Sequence, residues 1–242
     1  MARVDKHDNA VGPIGSLNDW NESECFDAVV ITLAGYDVRL TYGPNIVRRR
    51  ADQLTDATLA LAITKPGGLT AVIASHSLMD SPADHGRRDL AALADLVGAV
   101  RFPAGIYRPA TGTDEVVDLL LFRRRESGAP RRGHDFEAVV ESRLDGGSVT
   151  INTYFDTNVD QVLGSTQYDP TGARPTNLTV VGSRTLFPGV LTTALNDVIA
   201  FAQRAGLTTG PRQRQRPGAP LPMRARRLPG PHRQAGPGLD GP

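Results

Sequence analysis

Apolar residues gather in short runs along the middle of the chain. Three of these runs, Leu69–Ala74, Leu96–Val100 and Val116–Phe122, have the length and branching of strands that are buried on both faces. A fourth run of the same character, Phe26–Thr32, precedes them. Continuous apolar strands are typical of a largely parallel sheet. The pattern therefore predicts an α/β domain.

Helical patterns separate and follow these strands. Arg48–Thr64 carries leucine and alanine at helical spacing, and the Lys-Pro-Gly-Gly sequence at 65–68 has the cation, proline and glycine that end helices. Arg87–Ala94 predicts a short amphipathic helix. Leu191–Ala205 predicts the last helix.

A smaller unit is predicted after the fourth strand. Phe136–Leu144 and Ser148–Asn152 flank an Asp-Gly-Gly turn and predict a hairpin. Thr153–Gly164 predicts a short helix with Asp156 or Thr157 as its N-cap.

Proline, glycine and charge divide the chain into five parts. Gly12, Pro13 and Gly15 interrupt any periodicity near the start, and the end of the chain is rich in Arg, Pro and Gly. The predicted parts are a flexible lead-in (1–22), an α/β domain (23–125), a linker (126–135), an accessory hairpin and helix region (136–209) and a disordered basic tail (210–242).

Composition favours a cytoplasmic globular protein. Hydrophobic residues make up 40% and charged residues 22%, and no apolar run is long enough to cross a bilayer. The first residues lack the apolar stretch of a secretory signal, so we expect no membrane partner. The single cysteine, Cys25, excludes internal disulfides and cysteine-rich zinc sites.

Charge is distributed unevenly. The net charge is +1, but residues 210–242 hold seven arginines and one aspartate, which gives the tail +6 and the remainder −5. The tail either binds nucleic acid electrostatically or is a non-functional extension, and both interpretations stay open. The triplet Arg123–Arg125 is expected to be a solvated strand end.

Five segments in order resemble a known enzyme family. They are FDAVV, KPGGLTAVIAS, LADLVGAVRFPAGIY, GTDEVVDLLLFRRR and INTYFDTNVDQVLGS. Together they are similar to the C-terminal half of S-adenosylmethionine-dependent N6-adenine DNA methyltransferase domains, in the subtype of methylase/helicase-like proteins of bacterial mobile elements. The resemblance covers about residues 24–205 and implies a partial Rossmann-like sheet, mixed but mostly parallel, with helices on both faces.

The resemblance implies a methyl transfer site after the first strand. In the family this strand runs into an Asn/Asp-X-Pro-aromatic motif, which holds the exocyclic amine of a flipped adenine and stacks on its ring. Thr32, Leu33, Ala34 and Gly35 occupy those positions, and a shift by one residue brings Tyr36 to the aromatic position. The motif is therefore degenerate.

The family's cofactor half is expected to be missing from this chain. Its glycine-rich turn would have to precede Phe26, where Gly12-Pro13-Ile14-Gly15 neither follows a strand nor opens a helix. Asp27 is the nearest acidic residue by position. The resemblance thus implies S-adenosylmethionine as cofactor, no metal, and a partner chain that supplies the missing half.

DNA contacts are expected from the loop that follows the third strand. Arg101, Arg108, Thr113 and Asp118 match the family stretch that faces DNA, where cations would position the phosphates. A solvated loop with local hydrogen bonds is the alternative. The loop residues His76, Asp80, Asp84 and His85 are expected to be solvated rather than a metal site.

Three functions remain open at this point. The chain acts in adenine methylation, with a partner or through a cryptic site; or it is a non-catalytic DNA-binding or interaction module; or it is a decayed fragment. In the last case the unpaired edge of Phe26–Ile31 would make it prone to aggregate.

Overall fold

The computed structural model describes residues 26–34, 43–112, 114–171 and 176–208. The lead-in, Gly35, Tyr36, Thr113 and the basic tail lie outside these residues. Up to the end of the fourth strand, the elements are β1 (Phe26–Thr32), α1 (Gly43–Ala62), β2 (Thr64–Ser75), α2 (Ser77–Asp80), α3 (His85–Leu93), β3 (Ala94–Phe102), α4 (Arg108–Thr111) and β4 (Val117–Arg124).

The predicted hairpin and last helix are present in the second part of the chain. The elements there are β5 (Val139–Leu144), β6 (Gly147–Asn152), α5 (Thr153–Thr157), a 3₁₀ turn (Val159–Gln161), β7 (Ser165–Tyr168), β8 (Leu178–Val181) and α6 (Phe187–Ala205). α5 begins earlier than predicted, because Asn152 is its N-cap and its side chain accepts a 3.0 Å hydrogen bond from the Tyr154 amide. No described helix is long and apolar enough to cross a membrane.

The four predicted strands form one mixed sheet in the order β1-β2-β4-β3. β1 pairs parallel with β2, whereas β4 pairs antiparallel with both β2 and β3. Strands β1, β2 and β3 therefore run in one direction and β4 is reversed between two of them. Three of the four strands share a direction, but two of the three strand pairs are antiparallel, so the pairing is less parallel than predicted.

Helices cover both faces of this sheet, as predicted. Ala57, Leu61 and Leu90 of α1 and α3 pack with Val72 and Leu120 on one face. On the other face Ala194, Val198 and Ala202 of α6 pack with Val97 and Val100 of β3. Side chains alternate between the two faces along β4, so Leu120 and Phe122 join the first cluster and Leu119 and Leu121 pack against the second.

The arginine triplet is not a solvated strand end. The Arg124 guanidinium donates hydrogen bonds to the carbonyls of Ala62, where α1 ends, and Thr64 (2.6 Å from Nη1 to the Thr64 oxygen). Arg125 donates to the carbonyls of Ala91, Ala92 and Ala94 and to Asp95. The last carbonyls of a helix have no partner within the helix, so both side chains cap helix ends instead of reaching solvent.

Candidate functional site

The strand directions bring three loops to one edge of the sheet. Thr32, Ser75 and Phe102 end β1, β2 and β3 at this edge, and β4 starts beside them at Val117. Open α/β sheets bind ligands at the carboxyl ends of their strands. This edge is therefore the candidate site, and the degenerate motif lies on it.

The motif presents a single polar side chain to solvent. Thr32 is exposed, whereas the side chains of Leu33 and Ala34 are buried. The backbone amides of Leu33 and Ala34 both donate to the Ile73 carbonyl, at 2.6 and 3.2 Å. The Leu33 carbonyl accepts a 3.3 Å hydrogen bond from the Gln53 side chain. The turn is thus held by backbone hydrogen bonds, and Thr32 is the one described motif residue whose polar side chain is exposed.

Tyr107 lies next to Thr32 and was missed from the sequence. Its hydroxyl is 3.5 Å from the Thr32 hydroxyl, although the two residues are 75 positions apart. The ring is half-buried against the α6-side cluster. Sequence offered one signal, since Tyr107 follows β3 just as Thr32 ends β1, and parallel strands bring such loops together.

Arg108 is exposed at the same edge. Its Nη1 lies 3.0 Å from Asp114 Oδ2, and both side chains are more than half exposed. An ion pair in water is weak, so a phosphate can compete with Asp114 for the guanidinium. Nearby, Arg184 Nη2 donates a 2.8 Å hydrogen bond to the Gly105 carbonyl, which fixes the loop before Tyr107.

Arg101 and Asp118, by contrast, have no surface with which to meet DNA. Both side chains are fully buried, and Arg101 donates two 2.8 Å hydrogen bonds to the Asp118 carboxylate. The guanidinium carbon also lies 4.0 Å from the centre of the Phe155 ring. The predicted DNA contacts at Arg101 and Asp118 are therefore wrong for this structure, because the two charges neutralise each other in the core.

Asp80 completes this buried ion cluster. Its Oδ1 accepts hydrogen bonds from Arg101 Nη2 at 3.0 Å and from the Asn152 amide at 2.8 Å. Its Oδ2 lies 2.8 Å from Arg101 Nη1, but the two atoms are not aligned for a hydrogen bond, so that contact is electrostatic. Asp80 is thus buried and paired, not solvated as predicted.

Protonation in the cluster follows from burial. Burial raises the pKa of Asp80 and of Asp118 above the ordinary aspartate value, against the opposing effect of Arg101. Burial alone would lower the pKa of Arg101, but the two carboxylates outweigh it and raise that pKa. The cation is therefore permanent.

The two histidines between β2 and β3 differ in exposure. His76 is buried, and its Nε2 lies 2.9 Å from the Thr176 hydroxyl, so the expectation that it is solvated is also wrong. His85 is exposed and lies 3.7 Å from Asp84. Within the described residues no three His, Cys, Asp or Glu side chains are grouped as metal ligands would be.

Asp27 is far from the candidate site. It lies at the start of β1, where its carboxylate is 3.3 Å from Lys65 Nζ. Five residues of strand separate it from Thr32, a distance of roughly 16 Å. Asp27 is therefore at the end of β1 opposite to the edge that carries Thr32.

Two of the solved structures that this chain resembles belong to type I restriction–modification systems. One is a chain of a type I restriction–modification system, with 15% identity and a TM-score of 0.34 over 78% of this chain and 46% of that chain. The other is a modification subunit of a putative type I restriction enzyme from Vibrio vulnificus YJ016, with 15% identity and a TM-score of 0.32 over 69% and 39%. The chain thus spans less than half the length of either. The sequence matches no family model and no curated protein.

Proposed function

We propose that this chain takes part in methylation of adenine N6 in DNA and that the edge formed by Thr32 and Tyr107 holds the target adenine. The juxtaposition of these two side chains carries the proposal. It supplies a hydroxyl and an aromatic ring at the place where the resembling family uses a polar side chain and a ring. The segment resemblance over residues 24–205 supports the same reaction.

Each group has a defined task in this proposal. The exocyclic amine of adenine carries two N–H donors, and the Thr32 hydroxyl oxygen accepts one of them. The Tyr107 ring stacks on the flipped base, which replaces the stacking that the base loses in the duplex. Arg108 contacts the phosphate beside the flipped nucleotide, since its guanidinium is exposed at the same edge.

The methyl donor site is assigned to a partner chain. Asp27 does not fit that role, and β2 is the sole neighbour of β1 among the described strands. The other backbone edge of β1 is therefore the natural place for a partner's strand to extend the sheet. S-adenosylmethionine, when bound by that partner, would supply the methyl group.

A non-catalytic DNA-binding module is the second candidate. One observation favours it: of the three described motif positions, two have buried apolar side chains, and only Thr32 offers a polar atom. A site with one hydroxyl can still bind a base while it contributes little to transfer. Both candidate functions require adenine binding, but only the first requires methyl transfer.

Adenine binding is testable with the chain alone. Fluorescence anisotropy would compare single-stranded oligonucleotides that differ only in one central adenine or thymine. We expect tighter binding of adenine and a loss of that preference in Tyr107→Ala, by about 1–3 kcal/mol, the usual contribution of one stacked base. Tyr107→Phe keeps the ring and serves as the matched control. Equal binding of both oligonucleotides by the unmodified chain would refute the proposal.

Methyl transfer then decides between the two candidates. The chain would be mixed with DNA, tritiated S-adenosylmethionine and each protein that co-purifies with it. Label on adenine that requires both the chain and a partner, and falls in Thr32→Val, supports the enzyme. Adenine binding without transfer under every condition supports the binding module.

A further inference from the structure

A surface groove runs between the first half of α6 and the 3₁₀ turn at Val159–Gln161. Its volume is about 680 Å³. Three of the six large apolar side chains that are exposed among the described residues line it. They are Val159 and Leu186, each 65% exposed, and Val190, 41% exposed. Half of these exposed apolar side chains are therefore gathered on one concave surface, where a partner can bury them together.

One wall of the groove is a single stripe of α6. The residues that form this stripe are three or four positions apart, so they follow one side of the helix over about three turns, or about 16 Å. The neighbouring side of α6, which includes Val198, is buried against the sheet. The stripe itself is exposed at every position. We define the α6 stripe by four residues: Leu186, Val190, Thr193 and Asp197.

The two walls are held in place by the rest of the fold. Gln161 is buried in the 3₁₀ turn, and its Nε2 donates a 3.4 Å hydrogen bond to the Ala194 carbonyl of α6. Directly after the turn, the Leu163 amide donates a 3.0 Å hydrogen bond to the Arg101 carbonyl of β3. The groove is therefore already formed in the free chain, so a partner does not have to order it on binding.

Both charged residues that line the groove are acidic. Asp197 lies at the end of the α6 stripe and Asp160 lies on the opposite wall, and both are exposed. Neither carboxylate forms a hydrogen bond or an ion pair with another described residue. A partner that brings cations to these positions forms ion pairs without breaking any, whereas DNA phosphates would be repelled. The groove therefore suits a segment that is both apolar and basic.

We propose that this groove docks an amphipathic helix of another protein. The apolar side chains of that helix lie between the two walls, and its Lys or Arg residues pair with Asp160 and Asp197. Such helices present their apolar anchors every three or four positions, which is the spacing of the α6 stripe, so ridges of the partner helix can pack along it. None of the groove residues belongs to the edge formed by Thr32 and Tyr107, so this proposal and the proposed function are independent.

Other occupants suit the groove less well. Two copies of this chain that face each other through the groove would bring the same carboxylates together, which places like charges in contact. The sequence of residues 210–242 is basic, but at most six residues separate its consecutive prolines, and proline interrupts a helix. A basic amphipathic helix from a different protein fits both the shape and the charge of the groove.

Docking is testable with a synthetic peptide of about 14 residues, or about four helical turns, in which leucines follow one side and lysines occupy the rest. Fluorescence anisotropy of the labelled peptide would be measured as the full chain is added. We expect saturable binding of one peptide per chain. The matched peptide with glutamate in place of lysine should bind about tenfold more weakly or not at all, because its charges oppose those of the groove.

Three variants and a control locate the peptide on the chain. Asp160→Asn and Asp197→Asn should each weaken binding by about 1.4- to 5-fold, the usual contribution of one exposed ion pair. Val190→Lys should weaken it by about tenfold or more, because it replaces an apolar anchor and adds a like charge. The matched control is Ile199→Lys, which makes the same change in charge on another exposed side chain of α6 and should leave binding unchanged. All four side chains are exposed, so the variants keep the fold.

Four results would overturn the proposal. The first is the absence of saturable binding, and the second is equal binding of the lysine and glutamate peptides. The third is an equal loss in Val190→Lys and Ile199→Lys, which means that the charge of the whole chain attracts the peptide and the groove does not. The fourth is displacement of the labelled peptide by a synthetic peptide of residues 210–242, which assigns the groove to the basic tail.

Discussion

Replacing Arg101 by Met should unfold the buried ion cluster rather than impair DNA binding. The variant keeps the side-chain volume but leaves the Asp80 and Asp118 carboxylates together in the core without a cation. Loss of one partner from a buried charge pair costs about 3–5 kcal/mol. For a domain of this size each kcal/mol lowers Tm by about 2–4 °C, so we expect a decrease of roughly 6–20 °C.

The stability of Arg101→Met is expected to fall as pH rises. Burial already raises the pKa of Asp80 and Asp118 in the native chain, and loss of Arg101 removes the main opposing influence. Above the ordinary aspartate pKa, the Asp80 and Asp118 carboxyls therefore stay protonated in the folded variant but are ionised in the unfolded chain. The free energy of unfolding of the variant then falls as pH rises. The deficit relative to the native chain should therefore be smaller at about pH 5 than at about pH 7.5.

The assay is thermal unfolding followed by circular dichroism at both pH values, with Arg108→Met as the control. Arg108 forms an exposed ion pair, so its loss should cost only about 0.2–1 kcal/mol. DNA retention should weaken in Arg108→Met and not in the folded fraction of Arg101→Met. A variant at Arg101 that melts like the native chain yet no longer retains DNA would refute the buried assignment.

Three further predictions concern other parts of the molecule. Burial lowers the pKa of His134, whose ring stacks on Phe201. The folded state therefore favours the neutral ring. The stability that this contributes above the ordinary histidine pKa should be lost as pH falls toward the lowered value. His134→Phe should abolish this loss in melts across that range, and an unchanged acid dependence would contradict the assignment. Gly98→Ala should destabilise the chain by about 1–3 kcal/mol in urea unfolding, because the added methyl group collides with Val198; a neutral effect would place α6 elsewhere. Deletion of residues 210–242 should flatten the salt dependence of DNA retention if the tail binds phosphates, and an equal slope would show that it does not.

Apolar runs predicted the four strands of the larger sheet but not their pairing. Leu69–Ala74 lies within β2, and all of Val116–Phe122 except Val116 lies within β4, because segments rich in Val, Leu and Ile are buried on both faces of the sheet. The reversal of β4 depends on the path of the chain from β3 across residues 103–116, which composition does not specify. The sequence therefore predicted which segments form strands better than it predicted the direction in which each strand runs.

The burial of charged side chains was the feature that the sequence predicted least well. Arg101 follows the buried Val100 in a strand, and its partners Asp80 and Asp118 are 21 and 17 positions away, so no local pattern pairs them. Arg125 was misjudged for the same reason, since the carbonyls it caps belong to another element. Long-range pairing decides whether an arginine faces DNA or the core.

The family resemblance placed the candidate motif at Thr32, Leu33, Ala34 and Gly35, directly after the first strand. Thr32 follows the first apolar strand, and strand ends in α/β sheets are where ligands bind, so its place could be inferred. Tyr107 entered through the fold alone, because its contact with Thr32 requires β1 and β3 to run in the same direction. Tyr107 thus places an aromatic ring beside Thr32, although Thr32, Leu33 and Ala34 themselves include no aromatic residue.

Photocrosslinking tests the adenine-binding edge most directly. The full chain would be irradiated with DNA that contains 8-azidoadenine, and the attached peptides would be identified by mass spectrometry after trypsin digestion. We predict crosslinks at Thr32 and in the peptide that begins at Phe102 and contains Tyr107, with the latter lost in Tyr107→Ala. Crosslinks confined to residues 210–242 would contradict the account and assign DNA binding to the basic tail.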